Sequence, residues 1–171
     1  MRRMYTTGVA AAATAVLLTG AGPTCATAIR AQPRATQTAT TQLPSRGQIA
    51  ALFDQWNAAL ATGDPSRVAD LYAPDAVLLP TVSDRIRTNR AEIVDYFRHF
   101  LESKPVGRIQ RRVINILGPT AAVDTGLYQF TLTKANGTKS KVDARYTFVY
   151  ALRGGRWLII NHHSSVLPTG S

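Results

Sequence analysis

The chain has little cysteine and little negative charge. Cys25 is the single cysteine among 171 residues, so the chain can form no internal disulfide and no site built on several cysteines. Ten acidic residues stand against twenty basic ones, and the formal net charge is +10. Such a balance favours acidic surfaces in general, but no base-reading module accompanies it. Nucleic acid is therefore not an expected partner.

Long apolar runs are also missing, apart from one short stretch near the N-terminus. Arg2-Arg3, the apolar residues Val9–Leu18 and the small residues Ala26-Thr27-Ala28 form the pattern of a secretory signal peptide. We expect residues 1–28 to be removed on export, which places the protein outside the cytoplasm with no membrane segment left. Cleavage also removes Cys25, so the mature chain has no thiol chemistry.

The next stretch, residues 29–44, is rich in Thr, Gln, Ala and Pro and has no periodic apolar face. This composition predicts a disordered linker. A single folded domain is expected at residues 45–168, which is long enough to bury a core.

The first half of that domain has helical periodicity. Ser45 and Gln48 form a capping box, and an apolar stripe at helical spacing follows as far as Ala61. The further elements expected before the sheet are a short helix at Pro65–Tyr72, a brief strand at Ala76–Leu79 and a helix from Thr88 or Asn89 to Ser103.

Beyond Gly107 the period changes to two. Strands are predicted at residues 108–117, 121–133, 139–152 and 157–166, and Asn136-Gly137 and Gly154-Gly155 are strong hairpin signals between them. The predicted fold class is α+β, with three helices followed by a four-stranded antiparallel meander that curls over them.

The last strand, RWLIINHHSSVLP, changes from apolar to polar at Asn161. Neighbouring residues in a strand point to opposite faces, so Asn161, His163 and Ser165 are expected to share the inner face. His162 is then expected on the outer surface. A sheet that is apolar at one end and polar at the other predicts a pocket in a partly hollow fold. The alternative is a strand that runs into solvent with two exposed histidines.

The element order and the phrases LYAPDAVLLP and GGRWLII resemble the nuclear transport factor 2-like superfamily, which includes ketosteroid isomerases and SnoaL-like cyclases. The phrases ARYTFVY, GGRWLIINHHSSVLP and ALFDQWNAALATGD are more similar to bacterial, often exported, relatives of the calcium/calmodulin-dependent protein kinase II association domain, the SgcJ/EcaC type (DUF4440). The resemblance spans Ser45 to Pro168. It implies a cone-shaped (cystatin-like) sheet on helices, an internal pocket and a homodimer formed through the sheet.

The active residues of ketosteroid isomerases have no counterparts here. The resemblance places Leu79 where those enzymes have a carboxylate base, and Trp56 where they have the tyrosine that donates to the oxyanion. Leu79 supplies no base, so isomerisation of that kind is disfavoured. The kinase association domain matches better at His163, Ser165 and Pro168, although Asn161 replaces a histidine.

The candidate site combines the last strand with its neighbour. His163 is the candidate catalytic residue, because its imidazole can act as a donor or base near neutral pH. Arg145 on the adjacent strand suits a carboxylate, although it can equally pair with Asp143 or Asp124 at the surface. The other candidate ligand-binding residues are Asn161, Ser165, Trp56, Tyr72, Tyr96 and Tyr128. No metal and no cofactor are expected, because the rings of His162 and His163 point apart and no carboxylate cluster completes a site.

Three functions remain open. The first is an exported homodimeric pocket domain that binds a small polar or anionic organic molecule. The second is a cofactor-free pocket enzyme (isomerase, dehydratase, cyclase or oxidoreductase of the SnoaL or SgcJ type) with His163 in place of the usual carboxylate. The third is oligomerisation alone, through an outer sheet face carrying Tyr146, Phe148 and Tyr150 or their alternates. A carboxylate inside the cone would favour the enzyme.

Overall fold

The structure, a computed structural model, describes residues 42–81 and 83–168. The predicted signal peptide and residues 29–41 of the predicted linker lie outside the described residues. In the described ranges, no helix is long and apolar enough to cross a membrane.

Three helices precede most of the sheet, and side chains fix where each one begins. The first helix, α1, is Arg46–Ala61, and it starts with the predicted capping box. The Ser45 Oγ accepts a hydrogen bond from the Gln48 amide at 3.1 Å, and the Gln48 Oε1 accepts one from the Ser45 amide at 2.7 Å. The other helices are α2, Pro65–Ala69, capped by Asp64, and α3, Arg90–Phe100, capped by Asn89 and extended by a 3-10 turn at Leu101–Ser103.

Five strands form one sheet. They are β1 (Tyr72–Leu79), β2 (Val106–Gly118), β3 (Ala121–Thr133), β4 (Lys139–Arg153) and β5 (Arg156–Val166), arranged in the order β1-β5-β4-β3-β2. The α+β prediction and the meander from β2 to β5 are confirmed.

The prediction was wrong in its treatment of β1. This strand begins at Tyr72 rather than Ala76, and it pairs in parallel with β5, which gives the sheet a fifth strand. Pro74 was expected to end the second helix, but it lies within β1. A proline is tolerated there because β1 is an edge strand, in which half of the backbone N–H groups need no partner in the sheet.

The core lies between the helices and one face of the sheet, here called the inner face. Trp56 of α1 packs edge-on against Phe148 of β4, with ring centroids 5.3 Å apart, and Phe53 packs near Tyr128 and Tyr146. Tyr146, Phe148 and Tyr150 are therefore buried on the inner face. The residues that alternate with them along β4, Thr147 and Val149 among them, lie on the outer face. Of the two sets of side chains considered for the outer face, it is therefore these alternates that occupy it.

Bulges within β5 and β2 shift the alternation of side chains. In β5, Asn161 pairs with Val149 and Ile159 pairs with Tyr150, so Ile160 is an extra residue. In β2, Gln110 is likewise extra, because Ile109 and Arg111 pair with consecutive residues of β3. A bulge of one residue moves every later side chain of its strand to the opposite face.

Candidate functional site

The bulge in β5 exchanges the faces of the sheet on which His162 and His163 lie. Ile159 points inward as expected, but beyond the bulge His162 is on the inner face and is 3 % exposed, whereas His163 is exposed on the outer face. The expectation that His163 lines the interior was therefore wrong. His162 takes that place, and its ring stacks on Phe148 with a centroid distance of 4.0 Å.

A chain of hydrogen bonds fixes the protonation state of His162. Trp56 Nε1 can only donate, and it donates to Tyr72 Oη at 3.1 Å. Tyr72 Oη is 2.9 Å from His162 Nδ1, so its own proton is directed to that nitrogen. Burial, together with a smaller effect of the neighbouring His163, lowers the pKa of His162 to about 3. The imidazole is therefore neutral near pH 7, accepts at Nδ1 and carries its proton on Nε2.

His162 Nε2 is buried and has no hydrogen-bond partner among the described residues. His162 lines an inner cavity whose walls are mostly aromatic and whose polar side chains are few. The side chains that line this inner cavity include Trp56, Tyr96, Phe100, Tyr128, His162 and Ser164. The enclosed space is about 20 Å³, which is room for roughly one water molecule.

A cluster of hydroxyl groups lies at the same cavity. Tyr128 Oη donates to Ser164 Oγ at 2.5 Å, and Ser164 Oγ also bonds Thr81 Oγ1. Burial raises the pKa of Tyr128 to about 12, although its bond to Ser164 opposes the shift. All of the cavity's polar groups are consequently neutral at physiological pH.

An open depression, here called the outer chamber, adjoins the inner cavity. Tyr96, Phe100 and Leu132 line both spaces. The outer chamber has a volume of about 330 Å³, and Ser83, Arg87, His99 and Ser103 supply its polar lining. Arg87 is 6 % exposed, which is rare for a charged side chain.

The predicted site residues separate into two groups. Trp56, Tyr96 and Tyr128 line the inner cavity, and Tyr72 lies behind it, bonded to His162.

Arg145, His163 and Ser165 do lie together, but on the outer face of the sheet. There they line a groove of about 490 Å³, here called the outer-face groove, together with Arg111, Thr125 and Thr147. Asn161 is partly buried between Val77 and Val149 and lines neither the inner cavity nor the groove.

One carboxylate is fully buried on the inner face. Asp124, 0 % exposed, accepts a hydrogen bond from Tyr146 Oη at 2.9 Å. Its Oδ2 lies 3.1 Å from Arg112 Nε as an ion pair without an aligned hydrogen bond. Burial raises the pKa of Asp124, and Arg112 opposes that shift. Asp124 lines neither the inner cavity nor the outer chamber, so its contacts are those of a structural ion pair.

Metal ligands are not grouped in the described part of the chain. Within residues 42–81 and 83–168, no cluster of three or more His, Cys, Asp or Glu side chains has the arrangement of a metal site. The inner cavity offers one imidazole nitrogen and hydroxyl groups, a donor set that holds neutral organic groups better than hard cations.

The family model of the calcium/calmodulin dependent protein kinase II association domain matches residues 45–168. The chain belongs to this family. A Xanthomonas campestris protein named for the same association domain is 59% identical, with a TM-score of 0.71, and the match covers 74% of this chain and 93% of that one. This association domain therefore shares both sequence and fold with that protein.

More distant solved structures share the fold alone. The association domain of the Caenorhabditis elegans kinase is 14% identical with a TM-score of 0.58, covering 70% of this chain and 93% of that one. A nuclear transport factor 2-like protein from Salmonella enterica is 18% identical with a TM-score of 0.64, covering 73% and 92%. The comparison with curated proteins finds no match. The predicted superfamily is confirmed.

Proposed function

We propose that this association domain is an exported, homodimeric domain that binds a small organic molecule in the inner cavity. The observation that carries the proposal is the His162 Nε2–H, a buried donor without a partner among the described residues. A buried donor left unpaired costs free energy, and an acceptor atom on a ligand removes that cost. The export component rests on the sequence of residues 1–28, and the homodimer is the simplest form of the oligomerisation that the family suggests.

The lining defines the chemistry of the ligand. Aromatic walls favour a flat or apolar body, and the neutral donor at His162 Nε2 favours a hydrogen-bond acceptor such as a carbonyl oxygen. The enclosed space of about 20 Å³ is smaller than such a molecule. Binding therefore requires Tyr96 and Phe100, which separate the inner cavity from the outer chamber, to change rotamer.

Binding is preferred over catalysis because the interior lacks an available base. The pKa of His162, lowered to about 3 by burial, makes its imidazole a poor proton acceptor at neutral pH. Asp124, the buried carboxylate, is already engaged by Tyr146 and Arg112. His163, the base of the enzyme hypothesis, lies on the outer face and is exposed.

The proposal predicts that a small aromatic ketone such as acetophenone binds through its carbonyl oxygen. His162→Phe keeps an aromatic ring on Phe148 but removes the N–H, so we expect affinity to fall on the order of tenfold. His163→Phe, on the exposed face, is the matched control and leaves affinity unchanged. Isothermal titration calorimetry measures the affinities of the three proteins.

Mass spectrometry of protein recovered from culture medium tests the same proposal without a chosen probe. Under native conditions it reports any co-purified molecule, and under denaturing conditions it shows whether the chain begins at Ile29. Wild-type protein that neither carries a small molecule nor binds acetophenone contradicts the binding proposal. A secreted chain that keeps Val9–Leu18 contradicts cleavage of a signal peptide.

A further inference from the structure

Arg87 carries a buried charge and has no counter-ion among the described residues. All ten Asp and Glu residues lie between Asp54 and Asp143, within the described ranges. Six ion pairs connect described residues, and Arg87 takes part in none of them. A guanidinium group stays protonated in proteins, so Arg87 carries its charge in a nearly dry environment.

The guanidinium group is held in place but incompletely satisfied. One terminal nitrogen donates to the Arg85 carbonyl oxygen, and the other donates to Ser83 Oγ at 3.1 Å. The backbone of Arg87 is also fixed, since its N–H and carbonyl both bond Leu78 of β1. The Nε–H is buried and has no partner among the described residues.

The nearest compensation is an aromatic ring. The guanidinium carbon lies 5.7 Å from the centre of the Tyr96 ring, which is within range of a cation–π contact. Such a contact stabilises the cation but leaves its charge in place. Because Arg87 and Tyr96 both line the outer chamber, an anion in that chamber has access to the guanidinium group.

We propose that Arg87 anchors a carboxylate group of the ligand in the outer chamber. The apolar body of the same ligand then extends past Tyr96 and Phe100 toward the inner cavity, since both side chains line the two spaces. A carboxylate can accept from the Nε–H and from a terminal N–H of one arginine at once. This inference rests on the proposed function and names its ligand class: a small aryl or alkyl carboxylate.

The polar surroundings of Arg87 agree with an anion. Ser83 and Ser103 contribute hydroxyl groups to the outer chamber, and His99 contributes an imidazole. No Asp or Glu lines it, and Glu102, the acidic neighbour of His99 at 3.6 Å, is 73% exposed on the solvent side. Among the described residues, Arg87 is therefore a buried cation without a counter-ion, whereas the buried carboxylate of Asp124 is paired with Arg112.

Phenylacetate and its neutral amide, phenylacetamide, test the anchor directly. Calorimetric titration at low ionic strength should give wild-type protein an affinity for phenylacetate at least tenfold above that for phenylacetamide. Arg87→Met should abolish this preference. Arg85→Met is the matched control, since Arg85 is exposed and the substitution keeps the backbone carbonyl that Arg87 bonds. An equal preference in Arg87→Met, or none in wild type, overturns the inference.

A second variant and a smaller anion separate this inference from the proposed function. Arg87→Gln keeps an amide donor for the loop carbonyl while losing the charge, and it replaces Arg87→Met if the latter does not fold. Sodium acetate, compared with sodium chloride, should raise the melting temperature of wild type but not of either Arg87 variant. If wild type binds phenylacetamide as tightly as phenylacetate, the proposed binding in the inner cavity stands and the role of Arg87 as a carboxylate anchor is overturned. Acetate stabilisation that depends on Arg87, without binding of either aromatic probe, supports the anchor and contradicts the cavity.

Discussion

His162 is a titratable side chain in an environment where only its neutral form is stable. Its ring stacks on Phe148, accepts from Tyr72 and is 3 % exposed. A proton added to this ring would be buried without a carboxylate beside it. Because burial is the main cause, the pKa falls from the usual 6.5 to about 3.

This shift predicts how stability depends on pH. Between pH 6.5 and 3 the unfolded chain protonates His162 and the folded chain does not, so the free energy of unfolding falls as the pH is lowered. The His162 contribution is fully present above pH 6.5 and is lost at up to about 1.4 kcal/mol per pH unit below it. Urea unfolding of wild type and His162→Phe at pH 7 and pH 5 measures the difference.

The comparison of slopes isolates His162 from the other titrating groups. We expect His162→Phe to lower the free energy of unfolding at pH 7, because Tyr72 loses its acceptor. The free energy of unfolding of this variant should also change less between pH 7 and pH 5 than that of wild type. His163→Phe removes an exposed imidazole and should keep the wild-type slope. If His162→Phe and wild type lose the same stability between pH 7 and pH 5, His162 is not buried as a neutral group.

For single residues, the sequence predicted which side chains belong to the core better than it predicted the face of the sheet on which a side chain lies. Trp56, Tyr96 and Tyr128 were predicted at the pocket, and they line the inner cavity because large aromatic residues at helix and strand periods belong to the core. The faces of His162 and His163 were predicted the wrong way round, because the extra residue Ile160 reverses the alternation of side chains in β5. No sequence signal indicates that bulge. Arg87 was not among the predicted site residues, since burial of a loop side chain depends on the elements that surround it.

Elements with local signals were predicted well. The capping box starts α1 at the expected residue, and β3 covers the predicted residues 121–133. The parallel pairing of β1 with β5 was missed, because it joins segments far apart in the chain and no turn sequence announces it. Caps and hairpins depend on residues that are close in sequence, so a local pattern predicts them. The order of strands in the sheet depends on packing between distant segments, which no local pattern reports.

The β2 bulge makes Gly126 of β3 an obligatory glycine. A Cβ atom built on Gly126 would lie 1.9 Å from the Arg111 carbonyl oxygen, which belongs to the backbone and cannot rotate away. We expect Gly126→Ala to lower the free energy of unfolding by about 3 kcal/mol, because the strands must separate to admit the methyl group. Urea denaturation monitored by tryptophan fluorescence measures the change.

Gly118, at the end of β2, provides the matched control. A Cβ atom there meets no heavy atom within 4 Å, so Gly118→Ala should change stability by less than about 0.5 kcal/mol. Equal effects of the two substitutions would show that the close approach at the bulge does not exist in solution.

For the whole molecule, the proposed homodimer uses the outer face of the sheet. Thr147 and Val149 lie in the middle of this face on β4, which is an interior strand. The helices cover only the inner face, so partly buried apolar side chains such as Val149 remain available for a second copy. The family relationship to association domains supports assembly in general.

Sedimentation velocity at micromolar concentration tests this assembly. We expect a dimer for wild type and a monomer for Val149→Glu, because two carboxylates would be buried across the two-fold axis. Ala58→Glu adds the same charge to an exposed position of α1 and should leave the dimer intact. A monomeric wild type contradicts the homodimer, and a dimeric Val149→Glu moves the interface elsewhere.

The pairing of β1 with β5 has a consequence for biosynthesis. Tyr72 bonds His162 across 90 residues of sequence, and among the described strands β5 is the single neighbour of the edge strand β1. Synthesis proceeds from the N-terminus, so β1 leaves the ribosome well before β5 does. During that interval β1 has no strand to pair with, and Tyr72 has no histidine to accept its proton. The first strand of the sheet to be made is therefore the last that can find its partner.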